Sequence, residues 1–271
     1  MKRTTIGFSA SLAACLTACF LAAPTQLFAA EQATNAQFDL LYRQFASEIL
    51  FGTDLEGPAA LMASGDETPT QNASAVFGEG FRGKCLTSGT LRFSAAQNVI
   101  PAAGTLLFWL RVSRPEGVPD PKEPNFWPIF IEFERGQLLA GKQDAFNGAP
   151  IYAYLQGHPD VSLVLVNTYH STKKWSPKDW HLVIVCWQPG ELKISLDGQA
   201  FVTDSKMPPL TGTPRVLELR AASSPTWSVA LDELLILDRP ISNEEATQIF
   251  RNFQPPEPAD GNGSANPKSV Q

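Results

Sequence analysis

The feature that most constrains the fold of this chain is an alternating segment at residues 180–198. Residues 180–187 (WHLVIVCW) are rich in β-branched and aromatic side chains, which favour a strand. A turn-forming sequence, QPGE, follows at 188–191, and apolar residues then alternate with polar ones over 192–197, the period of a strand with one buried face. The pair DG at 197–198 suits a backbone with positive φ. The segment therefore predicts a β-hairpin and an all-β scaffold.

Other strands are predicted from apolar runs that are separated by turn-forming residues. They cover residues 48–55, 91–93, 105–112, 127–133, 151–155, 162–167, 215–220 and 227–237. Residues 57–74 and 114–125 are rich in loop-forming residues and are predicted to be loops. Strands in such close succession indicate two packed antiparallel sheets.

Two short helices are predicted to flank the strands. Apolar residues at helical spacing indicate the first, over residues 36–47. Ser242 and Glu245 have the spacing of a capping box, in which each residue's side chain accepts a hydrogen bond from the other's backbone N–H. The apolar stripe that follows them predicts the second helix, at the C-terminal end of the domain.

The N-terminal residues have the composition of a secretory signal peptide. Lys2 and Arg3 precede a long apolar run, and Ala29 and Ala30 offer a cleavage site after either residue. The predicted organisation is a signal peptide at 1–30, a leader with a short helix at 31–47, a β-domain at 48–253 and a disordered tail at 254–271. The mature protein would then be exported (secreted, periplasmic or at the cell surface), with no transmembrane segment after cleavage.

Two alternatives remain open for the N-terminus. Without cleavage, the apolar run would anchor the protein in a membrane. Cys15 and Cys19 each follow a sequence similar to the bacterial lipobox, so lipidation of either cysteine would make the protein a lipoprotein.

The charge of the chain excludes some partners. Loss of residues 1–30 removes Lys2 and Arg3 and no acid, so the net charge changes from −6 to −6 − 2 = −8. Nucleic acids and anionic membrane surfaces need a basic footprint, and an acidic chain argues against both.

Only Cys85 and Cys186 remain after cleavage of the signal peptide. In an exported protein this pair could form one disulfide. Cys186 stands among apolar strand residues, so a buried free thiol is the competing interpretation. No Cys/His spacing indicates a zinc site.

Four short motifs follow one another in order along the chain. They are residues 80–86 (GFRGKCL), 104–112 (GTLLFWLRV), 180–198 with its Trp-His-x-Val strand and Asp-Gly turn, and 231–245 (LDEL to SNEE). Together they resemble the laminin-G-like domains of the concanavalin A-like lectin and glucanase superfamily, over about residues 48–253. The resemblance implies a two-sheet antiparallel jelly-roll sandwich in which Trp109 and Trp180 are core residues.

The resemblance does not decide the function, because this fold carries lectins, adhesion modules and glycosidases. Glucanases of the superfamily place two or three carboxylates on one strand face. Glu132 and Glu134 have this spacing, but the remaining acid is missing. We therefore interpret the chain as a non-catalytic module, with a glycoside hydrolase or lyase and a purely structural envelope or adhesion module as alternatives.

Ligand-binding candidates come from aromatic residues in loops and on polar strand faces, since aromatic rings stack on sugar surfaces. They are Trp127, Tyr152, Tyr154, Tyr169, His170 and Trp175. The expected partner is a glycan or a cell-surface or extracellular protein.

No cofactor is required by any motif, but the resemblance implies a calcium ion at a sheet rim. Asp54 and Asp232 are its candidate ligands, although calcium prefers six to eight oxygens and the sequence has no dense aspartate loop.

Overall fold

A computed structural model describes residues 41–113, 126–142, 150–161, 163–168, 172, 175–225 and 227–253. The predicted signal peptide, the lipobox-like cysteines and the C-terminal tail lie outside these residues. The chain divides into two compact units, residues 1–44 and 45–271. In the first, residues 41–44 are helical, and in the second, residues 45–48 form a turn where the sequence predicted more helix. Within the described residues, no helix is long and apolar enough to cross a membrane.

The second unit is built from strands, with one helix at its end. Its elements are β1 (Ile49–Thr53), β2 (Met62–Ala63), β3 (Gln71–Glu79), β4 (Lys84–Ser94), β5 (Gly104–Ser113), β6 (Phe126–Glu132), β7 (Gln137–Lys142), β8 (Ile151–Gln156), β9 (Val164–Asn167), β10 (His181–Gln188), β11 (Glu191–Leu196), β12 (Val202–Asp204), β13 (Val216–Ser223), β14 (Ser228–Leu237) and α1 (Asn243–Asn252). The strand pairs are antiparallel. The predicted all-β class is thus confirmed.

Hydrogen bonds join the strands into one continuous sheet. Its order is β12-β11-β10-β5-β14-β4-β13-β6-β7-β8-β9, with β1 added beside β14, β2 beside β1 and β3 beside β4. The long strand β4 connects the part of the sheet that runs from β12 to β14 with the part that runs from β13 to β9. It pairs with β14 at Leu86 and with β13 over residues 89–94. Strands β11 and β12 lie near β8 and β9, so the sheet curls around a single core.

The core lies between the inner sides of the curled sheet. Phe108 on β5 and Val183 on β10 pair across the strands and are both fully buried. Phe51 and Phe93 meet edge to face, with ring centroids 4.9 Å apart. Burial of each such side chain contributes about 1.5–3 kcal/mol, so this apolar interior holds the sheet closed.

Helix α1 packs against Trp109 on β5 through Phe250, with ring centroids 6.2 Å apart, and against the turn after β11, where Thr247 Oγ1 donates to the Gly198 carbonyl at 2.8 Å. The predicted capping box is present: Glu245 N donates to Ser242 Oγ at 3.1 Å, and Ser242 N donates to Glu245 Oε2 at 2.8 Å. Trp109, predicted to be a core residue, is buried outside the main core, where it stacks on Phe81 at 4.1 Å. Trp180, the other predicted core residue, is half-buried beside the same ring, because both residues project from the side of the sheet that faces away from the interior.

Of the two alternatives for Cys85 and Cys186, the structure shows buried free thiols and no disulfide between them. Their strands β4 and β10 are three places apart in the sheet, which separates them by about 14 Å at the usual strand spacing. A disulfide requires Cα atoms within about 7 Å. Burial raises the pKa of Cys186 to about 11 and that of Cys85 to about 12, so both side chains are unreactive thiols at neutral pH.

Candidate functional site

The candidate site lies on the side of the sheet that faces away from the core. On β13, Leu217 and Leu219 point into the core, so Glu218 points the opposite way. The strand register places one row of side chains beside Glu218, because directly paired residues project to the same side. The row runs across β4, β13, β6, β7 and β8 as Arg92, Glu218, Phe130, Leu139 and Tyr154. We call this row and the residues flanking it on the same side the outer face.

Flanking rows make the outer face polar on both sides of this row. On one side, Arg220 pairs with Thr90. On the other, the register continues through Val216, Glu132, Gln137 and Gln156. Gln156 Nε2 donates to Gln137 Oε1 at 3.2 Å, which shows that these side chains lie on one surface.

An arginine–glutamate–arginine cluster occupies one end of the row. The Glu218 side chain is only 1% exposed, whereas those of Arg92 and Arg220 are 42% and 43% exposed. Arg92 Nε donates to Glu218 Oε2 at 2.7 Å and Arg92 Nη2 donates to the same oxygen, while Arg220 Nε donates to Oε1. Charge-assisted bonds of this kind fix both guanidinium groups, and the cluster carries a net charge of about +1.

The rest of the row holds two aromatic residues, Phe130 and Tyr154, with Leu139 between them. Trp127 and Tyr154 meet edge to face, with ring centroids 4.6 Å apart. Phe130 stands next to Glu218 in the register, and the Arg220 guanidinium lies 6.0 Å from its ring centroid. Burial raises the pKa of Tyr154, so its phenol stays protonated at neutral pH and keeps an O–H donor.

The dimensions of the outer face suit an extended ligand. From Arg92 on β4 to Tyr154 on β8 the row crosses four strand spacings, which is roughly 19 Å. One end offers fixed cationic donors, and the other offers aromatic surface with a hydroxyl. Aromatic side chains combined with a few placed polar groups are typical of small-molecule and sugar sites.

The structure brings some predicted ligand-binding residues together and separates others. Trp127, Tyr152 and Tyr154 lie on the outer face, although Tyr152 is almost fully buried. Trp175 instead stacks on His181 of β10, with centroids 3.6 Å apart, and packs against the core. Tyr169 and His170 lie outside the described residues.

Sequence reasoning missed the charged end of the face. Arg92 and Glu218 each alternate with apolar residues, which indicates only that they point away from the core. Their contact depends on the pairing of β4 with β13, and 126 positions separate them in the chain. A buried glutamate between two arginines is therefore visible only in the folded sheet.

The predicted pair of glutamates does not share a strand face. Glu132 is the last residue of β6, and its Oε1 lies 3.7 Å from Arg215 Nη1. Glu134 lies beyond the strand, in the turn to β7. Glu218, which does face outward, has both oxygens bonded to arginines, so it is placed neither to attack a sugar nor to protonate one.

The two candidate calcium ligands have backbone amides as partners. Asp232 Oδ2 accepts from Phe81 N at 2.7 Å and from Arg82 N at 3.3 Å, and its Oδ1 accepts from Glu233 N. Asp54 Oδ1 accepts from Glu56 N at 3.1 Å. Among the described residues, no three His, Cys, Asp or Glu side chains are grouped so as to hold a metal ion. This donor set does not fit calcium, and the calcium prediction rests on the resemblance alone.

The burial of Glu233, which follows Asp232 in the chain, predicts that the stability of the protein depends on pH. Its side chain is buried, which raises its pKa well above the ordinary value; the charge of Asp232 adds to this rise and Arg82 opposes it. A raised pKa in the folded state means that the contribution is complete below the unfolded pKa and is lost as pH rises through the folded pKa. We therefore expect the free energy of unfolding to fall as pH increases from 5 to 8.

Urea unfolding at several pH values measures this effect, and Glu233→Gln is the diagnostic variant. The neutral amide should flatten the pH dependence and stabilise the protein at pH 8 relative to the parent chain. An unchanged slope in Glu233→Gln would assign the effect to another group.

Comparison with known proteins finds similarity in fold but none in sequence. The sequence matches no protein-family model and no curated protein. The binding domain of Paraclostridial mosquitocidal protein 1 matches with a TM-score of 0.58 and 12% identity, over 76% of this chain and 52% of that one. A structure of botulinum neurotoxin type C, whose cell entry is described as dependent upon interaction with two ganglioside molecules, matches with a TM-score of 0.61 and 12% identity, over 78% of this chain and 53% of that one.

The binding domain of botulinum neurotoxin DC in complex with rat synaptotagmin II also matches, with a TM-score of 0.59 and 14% identity, over 78% of this chain and 52% of that one. The chain thus spans about half the length of these structures. At such low identity, what is shared is the fold, an antiparallel β architecture that also occurs in the binding domains of clostridial toxins.

Proposed function

We propose that this protein is a non-catalytic carbohydrate-binding module that holds a glycan on its outer face. The observation that carries the proposal is the row from Arg92 to Tyr154, which joins fixed cationic donors to aromatic rings on one side of the sheet. Sugars present both C–H surfaces, which stack on rings, and hydroxyls, which accept hydrogen bonds. We infer that the curled sheet is a jelly-roll sandwich of the laminin-G-like type.

Two further points support a glycan ligand. The solved structures of similar fold include a neurotoxin that depends on ganglioside molecules and a binding domain in complex with SialylT. We also propose that residues 1–30 direct export, which would bring the domain to extracellular or envelope glycans. A protein partner is the second candidate, because another domain of this fold was solved with synaptotagmin II.

Loss of the Tyr154 ring should weaken glycan binding. Tyr154→Ala removes the ring and the O–H at one end of the row, and we expect affinity for a bound oligosaccharide to fall about 10-fold or more, since an aromatic anchor is commonly worth over 1.4 kcal/mol. A glycan array that includes neutral and acidic oligosaccharides identifies the ligand, and isothermal titration calorimetry measures its affinity.

Phe201→Ala is the matched control for this experiment. Like Tyr154, Phe201 is a half-buried aromatic residue, but its ring lies 4.7 Å from Lys193 Nζ of β11 and not on the outer face. Its removal should leave glycan affinity within about twofold. Equal losses in both variants, or binding that Tyr154→Ala leaves intact, would contradict the outer face as the binding surface.

A further inference from the structure

We propose that the outer face selects glycans that carry a carboxylate group, which Arg92 and Arg220 bind while Glu218 positions both arginines. This inference rests on the proposed glycan-binding function and adds the chemical class of the ligand. Its starting point is the contrast between a 1% exposed glutamate and the two arginines, each more than two-fifths exposed, that bond to it.

The arginines have donor groups left over. A guanidinium carries five N–H groups in one plane. Arg92 directs Nε and Nη2 at Glu218, and Arg220 directs Nε at the same carboxylate. The remaining N–H groups, including those of Arg92 Nη1 and Arg220 Nη1 and Nη2, belong to the exposed side chains. A planar pair of N–H donors matches the two oxygens of a carboxylate, which makes arginine the preferred residue for this group.

Glu218 explains why the arginines are held at a defined spacing. Desolvation of a carboxylate is costly unless both oxygens are paired, as they are here. Arg92 lies across the strand from Glu218 and Arg220 lies two residues along the same strand. Their guanidinium groups therefore approach one carboxylate from two sides, and their rotamers are fixed before a ligand arrives.

The charge of the cluster distinguishes it from the rest of the molecule. The chain as a whole has a net charge of −6, whereas this cluster has two cations and one anion. A local positive site on an acidic protein attracts an anionic group without creating general affinity for polyanions. This favours a single carboxylate on a sugar over a nucleic acid or an anionic membrane.

The adjacent aromatic residues determine where the sugar rings would lie. Phe130 is the next residue in the row after Glu218, and Tyr154 lies two strands further, which is about 10 Å away. A carboxylate bound by the arginines would thus place its own ring near Phe130 and direct the following sugar toward Tyr154 and Trp127.

The test compares acidic oligosaccharides with matched neutral ones on the full chain. Calorimetry would use 3′-sialyllactose against lactose, and trigalacturonic acid against its methyl ester. We expect the parent protein to bind at least one acidic probe about 10-fold or more tightly than its neutral counterpart. Arg92→Gln and Arg220→Gln should reduce this ratio to near 1.

Two further variants keep the test decisive. Arg220→Lys retains the charge but loses the planar donor pair, so most of the preference should be lost even though the cluster keeps its net charge. Arg251→Gln removes a positive charge from the exposed surface of α1, away from the outer face, and should retain the full acidic preference. Thermal unfolding followed by circular dichroism would show that each variant is folded.

The outcomes separate this inference from the proposed function. Equal affinity of the parent protein for acidic and neutral probes, with binding still dependent on Tyr154, would overturn the carboxylate preference and leave the glycan-binding function standing. An Arg251→Gln effect as large as that of Arg220→Gln would reduce the preference to net charge and also overturn it. Failure of the folded parent protein to bind any glycan on the array would overturn the proposed function itself.

Discussion

Replacement of Asp232 by alanine should lower the free energy of unfolding by roughly 3–5 kcal/mol, because it leaves several buried N–H groups without acceptors. The Asp232 side chain is fully buried. Its two oxygens accept from the backbone amides of Phe81, Arg82 and Glu233, at 2.7, 3.3 and 3.0 Å. Water cannot readily replace the lost acceptor in a buried position, so the penalty of the unpaired amides is paid in full.

The same substitution also destabilises the turn between β3 and β4. This turn, residues 80–83, is built around the Asp232 carboxylate: a Cβ added at Gly80 would lie 2.5 Å from Asp232 Oδ2. Loss of the carboxylate therefore removes the group that joins the turn to β14, 150 positions further along the chain. Urea denaturation at pH 7, followed by tryptophan fluorescence, measures the change.

Two substitutions define what the Asp232 result means. Asp232→Asn keeps the shape and one acceptor oxygen, so it should cost clearly less than alanine. Asp204→Ala is the matched control, because the Asp204 carboxylate accepts from a single local amide, Lys206 N at 2.8 Å, in an exposed turn; its loss should cost under about 1 kcal/mol. If Asp232→Ala were no worse than Asp204→Ala, the buried carboxylate would not be holding the turn.

The same contact explains why two of the recognised motifs occur together. Residues 80–86 and 231–234 are far apart in sequence, yet the aspartate of the second accepts the amides of the first. Gly83 adopts φ +57, and a Cβ there would meet Glu56 Oε1 at 1.7 Å, so glycine is favoured at that position. These motifs supply the hydrogen bonds that hold the turn between β3 and β4 against β14. They therefore indicate the fold and do not indicate a ligand.

Strands with strong local patterns were predictable from the sequence. The hairpin predicted from residues 180–198 is present as β10 (His181–Gln188) and β11 (Glu191–Leu196), because alternation and turn chemistry are local signals. The segment that became β3 begins at Gln71, inside a predicted loop, and most of it is exposed or half-exposed. Strand β7 (QLLAGK) was missed as well, since it is short and shows no alternation. Such strands are stabilised by their neighbours more than by their own residues.

The candidate site also has one part that the sequence predicted and one part that it did not. Tyr154 and Trp127 could be proposed from their positions on strands, because an aromatic residue on a polar face is visible in the sequence alone. Arg92, Glu218 and Arg220 could not, because an isolated charge on the outer side of a strand usually indicates only a solvated surface. The long-range pairing of β4 with β13 turns three ordinary surface charges into one cluster. A sequence pattern of period two determines the side of the sheet, but not which strands become neighbours.

The second large effect is expected at Gly104, where alanine should destabilise the protein by about 3 kcal/mol through overpacking. Gly104 pairs directly with Trp187 across β5 and β10, and an added Cβ would lie 2.3 Å from the indole ring. The ring cannot move aside easily, because it is 1% exposed and its Nε1 donates to the Ile100 carbonyl at 3.1 Å. In a closely packed interior such a clash cannot be relieved locally, so neighbouring side chains have to shift as well.

Gly57→Ala provides the matched control for Gly104→Ala, since an added Cβ at Gly57 has nothing within 4 Å and its φ lies outside the left-handed region. This change should be neutral or slightly stabilising, because alanine restricts the unfolded chain more than glycine does. Urea unfolding at pH 7 compares the two variants directly. A clear decrease in the free energy of unfolding for Gly104→Ala, and none for Gly57→Ala, would assign the effect to the contact with Trp187. Equal behaviour of the two variants would mean that the ring shifts without cost and that the core near Trp187 is looser than its burial indicates.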